Sequence, residues 1–225
     1  MVQTQPKEKH MKNIVTIIAT ASMAFAAHAV VAAPVGNEAP DLLVKRISSD
    51  VLDTAKADKD IQAGNKQKVV ALVESKILPF VDTEKMTALA AGRFWRQATP
   101  EQQKRLAQEF RTLLVFTYSG ALSQIKNDDK VEFKPLRADP ADTDVEVRSQ
   151  VTSSRGEPIT LNYRLNKGPQ GWKIFDINVL GAWLVETYKG NFSSEITKSG
   201  VDGLIAKLAE RNKQLAGKPL AAPAK

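Results

Sequence analysis

The stretch from Gly171 to Phe192, GWKIFDINVLGAWLVETYKGNF, changes its hydrophobic period at a glycine. Before Gly181, Phe175, Ile177 and Val179 alternate onto one face, as in a half-buried strand; after it, Trp183, Leu184, Tyr188 and Phe192 recur at helical spacing. A strand running straight into an apolar helix predicts that sheet face and helix face meet. Gly181, the one residue there without a Cβ, is the expected pivot of a helical lid. Asp176 interrupts the apolar strand, and its expected place is the outer face, in water or paired with Arg148 or Arg164.

Working back from this stretch, three more strands share its period of two. Val131 and Phe133 mark the first, Asp144 to Thr152 the second and Pro158 to Asn166 the third, with Val145, Val147, Val151, Leu161 and Tyr163 pointing one way and charged or amide residues the other. Short connections rich in Asp, Ser, Gly and Pro join them, which suits hairpins. Four antiparallel strands with one apolar face follow.

The N-terminal half is helical. Pro40 precedes a run from Asp41 to about Asp60 with Leu43, Ile47 and Val51 at helical spacing; a second run covers Lys66 to Ile77. Asp82 is placed to cap a short helix ended by Gly92, and Thr99-Pro-Glu-Gln102 has the form of a capping box opening a helix to about Ile125. The chain closes with helices from Ala182 to Lys198 and from Val201 to about Leu215, punctuated by Gly200. Helices segregated to one side of an antiparallel sheet make an α+β layer structure.

Residues 1–29 read as a signal peptide: Lys7, Lys9 and Lys12, then an apolar run, then small residues favouring cleavage near Ala29 or Ala32, with residues 1–10 an extension before Met11-Lys12. Removing them takes away three lysines and Glu8, so the formal charge falls from +7 to +5. A basic exported chain points to anionic surfaces such as phospholipid headgroups and away from nucleic acid. A single domain is expected over 39–215, with a loose tail over 216–225.

The chain contains no Cys, and its only histidines, His10 and His28, lie in the leader. A mature chain without them cannot build a Ser-His-Asp or Cys-His pair and lacks the usual zinc ligands. Asp139, Asp142 and Asp144 lack the alternation of a calcium loop and read as a hairpin connection; Asp128 and Asp129 read as a helix end. Arg93, Arg96, Lys104, Arg105 and Arg111 read as solvated helix faces, with acidic headgroups or a partner as the alternative.

Several blocks in order, Leu78-Pro-Phe-Val-Asp82, Gly92-Arg-Phe-Trp-Arg-Gln-Ala-Thr-Pro-Glu-Gln-Gln103, Phe110-Arg-Thr-Leu-Leu114, Gly171-Trp-Lys-Ile-Phe-Asp176 and Gly200-Val-Asp-Gly-Leu-Ile205, resemble the MlaC or toluene-tolerance family of periplasmic phospholipid-binding proteins. The family pattern commonly has an acidic residue before the glycine where this chain has Leu180, so no role for that carboxylate carries over. The resemblance implies a nuclear-transport-factor-like cone and a helical part enclosing a deep apolar pocket, with no cofactor and no covalent chemistry. It implies a monomer that carries glycerophospholipid between an inner-membrane ABC transporter bearing an MCE-type subunit and an outer-membrane lipoprotein-porin complex. The candidate pocket wall is Phe80, Met86, Leu89, Phe94, Phe110, Leu113, Leu114, Val147, Val151, Leu161, Tyr163, Phe175, Ile177, Val179, Trp183, Leu184 and Tyr188. Taken singly, each is better explained by a packed core; the resemblance is what makes the set a wall. Two other readings stay open from the residues alone: a carboxylate-dependent periplasmic hydrolase, and a chaperone-like module binding apolar segments.

Overall fold

Capping chemistry sets the helical half. The computed structural model describes residues 38–154 and 157–220, so the leader and residues 221–225 lie outside it. Pro40 opens α1 (Pro40–Ala57), where its missing N–H would have no partner anyway. Asp58 both ends α1 and accepts from the amides of Asp60 and Ile61, so the run expected as one helix is split into α1 and a short α2 (Lys59–Gln62). Asn65 caps α3 (Lys66–Lys76), and Asp82 caps α4 (Thr83–Ala91). The capping box at Thr99 and Gln102 opens α5 (Pro100–Tyr118). The expected continuation to Ile125 tightens into a 3₁₀ turn over Ser119–Gln124, where Ser119 and Gly120 are weak helix formers.

The sheet is an antiparallel meander of β1 (Lys130–Phe133), β2 (Asp144–Thr152), β3 (Ile159–Gly168), β4 (Gly171–Val179) and β5 (Ala182–Trp183), paired in chain order. It has five strands where the pattern predicted four. Val179 pairs with Ala182 across a two-residue loop in which Leu180 and Gly181 have φ of 55° and 90°, the signature of a type I′ hairpin. Gly181 therefore turns a hairpin, and the helix α6 (Leu184–Ala216) starts two residues later than the Ala182 expected from the sequence. Gly200, with φ 73° and ψ 178°, breaks α6 where the sequence placed its punctuation.

Register explains a second departure. Leu161 faces Val179 and Tyr163 faces Ile177, but a bulge between Arg164 and Leu165 makes Arg164 face Asp176 while Leu165 faces Ile174. Phe175 is the extra residue. Ile174 takes the core place predicted for it, and Phe175 lies half-buried with the Lys85 ammonium 4.2 Å from its ring centroid.

Two apolar clusters result. The first joins one sheet face (Val145, Val147, Tyr163, Leu165, Ile174) to Leu43, Val44, Ile47 and Val51 of α1, Ile61 of α2, and Val69 and Leu72 of α3. The second joins Met86 and Ala90 of α4, Leu106, Phe110 and Leu113 of α5, and Phe192, Ile196, Leu204, Ile205 and Leu208 of α6. Val81, between Pro79 and α4, packs against both. Lys66 ties the ends together, its ammonium donating to the carbonyls of Leu215, Ala216 and Lys218 and lying 4.5 Å from the Phe116 ring centroid.

The β4–β5 hairpin makes a direct prediction. Leu180 is the one non-glycine residue with positive φ among the described residues, and its side chain is 42% exposed, so its Cβ strain is offset by little burial. Leu180→Asn gives the Asn-Gly pair that type I′ turns favour and should raise unfolding stability in urea by about 0.5–1 kcal/mol. A loss of stability would show that Leu180 makes a contact the turn geometry does not reveal.

Candidate functional site

Between the two clusters runs a cavity of about 160 Å³. Its walls come from α3 (Val73, Ile77), the turn after it (Leu78, Val81), α4 (Thr83, Met86), α5 (Arg111, Leu114, Val115, Tyr118), the 3₁₀ turn (Ser119, Leu122), β4 (Ile177) and the start of α6 (Leu184). On α5 the spacing 111, 114, 115, 118 forms one helical stripe facing the seam. The exposed cavity surface is almost wholly apolar.

Four of the predicted wall residues, Met86, Leu114, Ile177 and Leu184, line this cavity. Others fill the clusters beside it. Val147 and Tyr163 are buried in the first, with Phe80 and Leu161 packed against it; Phe110 and Leu113 are buried in the second, with Phe94 and Tyr188 against it. Phe110 meets the rings of Tyr188 and Phe192 edge-on at 4.9 Å each, a core arrangement of aromatics. Tyr163 spends its hydroxyl on Ser48 and Ser149, and burial pushes its pKa up to about 12, so it belongs to the core between α1 and the sheet. Val151 and Val179 are half-buried on the sheet.

Three predicted residues lie elsewhere. Leu89 is 40% exposed on α4. Phe175 is displaced by the bulge, and Trp183 belongs to β5, where the Arg164 guanidinium stacks 3.9 Å above its ring centroid. Of the cavity-lining residues outside the expected wall, Val73, Val115 and Tyr118 sit on α3 and α5, whose apolar stripes were legible, while Leu78, Val81 and Leu122 lie in the turns between elements. Which stripe faced the seam was not, because both faces of α3 and α5 carry apolar side chains.

Asp176 holds the cavity wall in shape. It is 1% exposed, and one carboxylate oxygen accepts from the amides of Ile177 (2.9 Å) and Val185 (3.1 Å) while the other lies 3.4 Å from Arg164. Of the three expected placements, in water or paired with Arg148 or Arg164, the structure shows Arg164, with the carboxylate buried and not in water. Trp183 provides no side-chain cap for α6, so Asp176 supplies one from the neighbouring strand. Ile177 and Leu184, which flank these bonds, both line the cavity.

Burial raises the Asp176 pKa, against the two amide bonds and Arg164, which lower it. The folded protein therefore binds this proton more tightly than the unfolded chain. Its contribution to stability grows as pH falls from the raised value toward the ordinary carboxylate range, and declines as pH rises through that window. Asp176→Asn should lack this pH dependence. Asp176→Ala, which leaves two amides and Arg164 without their acceptor, should lower unfolding stability at neutral pH by about 3 kcal/mol. Denaturant melts across the pH series measure both, and an alanine variant as stable as wild type would remove the carboxylate from this role.

The MlaC protein family profile matches residues 45–210. The chain belongs to the MlaC family. It is 26% identical over 184 residues to the intermembrane phospholipid transport system binding protein MlaC of Haemophilus influenzae, covering 76% of this chain and 85% of that protein. It is 24% identical over 169 residues to the toluene tolerance protein ttg2D of Pseudomonas putida, covering 75% of this chain and 78% of that one. Among solved structures it matches the phospholipid-binding protein from Ralstonia solanacearum in complex with a phospholipid, at 51% identity and a TM-score of 0.74, covering 78% of this chain and 98% of that one. The MlaC match runs from within α1 to within α6, so every cavity-lining residue, from Val73 to Leu184, lies inside the family region. Among the described residues no helix is long and apolar enough to cross a membrane, and no group of three His, Cys, Asp or Glu residues is placed to hold a metal ion.

Proposed function

We propose that this MlaC-family chain is a periplasmic, non-enzymatic carrier that holds a glycerophospholipid by its acyl chains in the seam between the two clusters. It takes lipid from, or delivers it to, an inner-membrane ABC transporter with an MCE-type subunit and an outer-membrane lipoprotein-porin complex, and so maintains outer-membrane lipid asymmetry. The observation that carries the reading is the 51% identity to a protein solved with a phospholipid bound, over 98% of that protein's chain, joined to an apolar seam at the centre of this one. The leader-like residues 1–29 support the compartment.

The energetics suit a carrier. A diacyl lipid has about 30 chain carbons, and at ~0.8 kcal/mol per buried CH₂ its escape into water costs on the order of 20 kcal/mol or more. Apolar walls that replace bilayer hydrocarbon make the exchange nearly balanced, with no bond made or broken. The cavity of about 160 Å³ is smaller than the roughly 300–1,000 Å³ of typical ligand sites, so acyl chains must part the side chains along the seam. Among the described residues, Val81 is the one residue packed against both clusters, so the seam is where the carrier reading places the opening.

Solvent extraction of the purified protein, followed by lipid mass spectrometry, tests the reading. Glycerophospholipid should appear near one molecule per chain, with mixed headgroups because the tails dominate retention. Leu114→Asp and Ile177→Asp, each placing an unpaired carboxylate on the seam, should lose most of it while remaining folded. Wild-type protein without stoichiometric lipid would overturn the carrier reading; fully loaded Asp variants would move the site away from the seam.

A further inference from the structure

We propose that Arg111 holds the phosphate of the bound lipid at the cavity mouth between α3 and α5, and so selects phospholipid over neutral diacyl lipid; this rests on the carrier reading. Arg111 is the only charged residue among those that line the cavity. It continues the stripe of Leu114, Val115 and Tyr118, so its methylene stem extends the apolar wall while the guanidinium reaches water. In a glycerophospholipid the phosphate lies directly beside the two acyl esters. When the chains fill an apolar cavity, the phosphate must sit where apolar wall gives way to solvent, and Arg111 marks that boundary.

Its present partner is easily exchanged. Arg111 Nη2 lies 3.3 Å from Glu74 Oε1 on α3, one nitrogen to one oxygen, with 41% and 56% of the two side chains exposed. An exposed single-contact pair contributes little. A phosphodiester offers two non-bridging oxygens to the planar fork of a guanidinium, a bidentate arrangement with stronger, charge-assisted hydrogen bonds. Glu74 is then a competitor: it holds the guanidinium in place and yields it to phosphate. The contacted oxygens are common to every glycerophospholipid, so Arg111 reads the class and leaves the headgroup beyond it unread. The other basic residues of this region, Arg93, Arg96, Lys104 and Arg105, are outside the cavity lining.

The test uses purified protein, stripped of lipid and equilibrated with vesicles of phosphatidylcholine mixed with diacylglycerol of the same chains. Phosphatidylcholine has no net charge, so a change in overall protein charge does not itself favour either lipid. Arg111→Met keeps the stem and removes the fork, and should lower the retained ratio of phosphatidylcholine to diacylglycerol roughly tenfold. Glu74→Gln removes the competitor and should raise that ratio. Arg105→Met, off the cavity, should leave it unchanged. If Arg111→Met lowered both lipids equally, or if Glu74→Gln shifted the ratio in the same direction as Arg111→Met, the pair would be a strap between α3 and α5 and the inference would fail. Wild-type protein that retained neither lipid would sink the carrier reading and the inference with it, an outcome separate from a wild type that loads normally and an Arg111→Met ratio that does not move.

Discussion

A buried carboxylate fixes where the helical half leaves the sheet. Asp176 joins β4 to the first turn of α6 through the Val185 amide and to β3 through Arg164, whose guanidinium in turn covers Trp183 of β5. The hairpin at Leu180–Gly181 reverses the chain, and Asp176 then sets the height at which α6 begins. Ile177 and Leu184 are brought to the same cavity as a result, and the second cluster is built on the helix that starts there. Shifting α6 by one turn, about 5.4 Å, would close the gap or uncover it. The raised pKa of Asp176 is the electrostatic cost of placing a charge at that junction.

The division of the interior into two clusters gives the carrier its physical logic. A single interlocked core would resist a guest, because close-packed interiors yield only by opening voids that forfeit contacts. Here the sheet with α1–α3 and the bundle of α4–α6 each satisfy their own apolar faces and meet along side chains, chiefly aliphatic, that can change rotamer at modest cost. The Phe110, Tyr188 and Phe192 rings pack together within the bundle, and the Tyr188 hydroxyl bonds to that of Tyr118 in the cavity wall. Arg111, the one charged residue of the cavity lining, is where the proposal puts polar recognition.

Most elements were legible because each was announced by local chemistry. Pro40, Asp82 and the Thr99–Gln102 box marked helix starts within a residue, and the alternation of Val145, Val147 and Val151 gave β2 its full span. Asp176 stood out as a polar residue in an apolar strand, and Arg164 was one of its two predicted partners. What escaped was set by pairing. Two-residue β5 is too short to show a period, and the bulge that exchanges Phe175 for Ile174 exists only as a mismatch between two strands. The wall of the cavity depends on which stripe of α3 and α5 faces the sheet, a tertiary choice. Hence Met86, Leu114, Ile177 and Leu184 of the expected wall line the cavity together with Val73 and Tyr118, which the expected wall lacks, and Leu89 lies at the surface.

The central claim is that acyl chains occupy the seam. A phospholipid carrying a photoreactive diazirine near the end of one acyl chain, loaded onto the protein and irradiated, reports the answer directly once the modified peptides are mapped by mass spectrometry. The account predicts labels on Val73, Ile77 or Leu78, on the Leu114 to Leu122 stretch, and on Ile177. Labels concentrated instead around the polar cavity formed by Pro40, Leu136, Asp139 and Trp172, or spread over exposed surface, would contradict it.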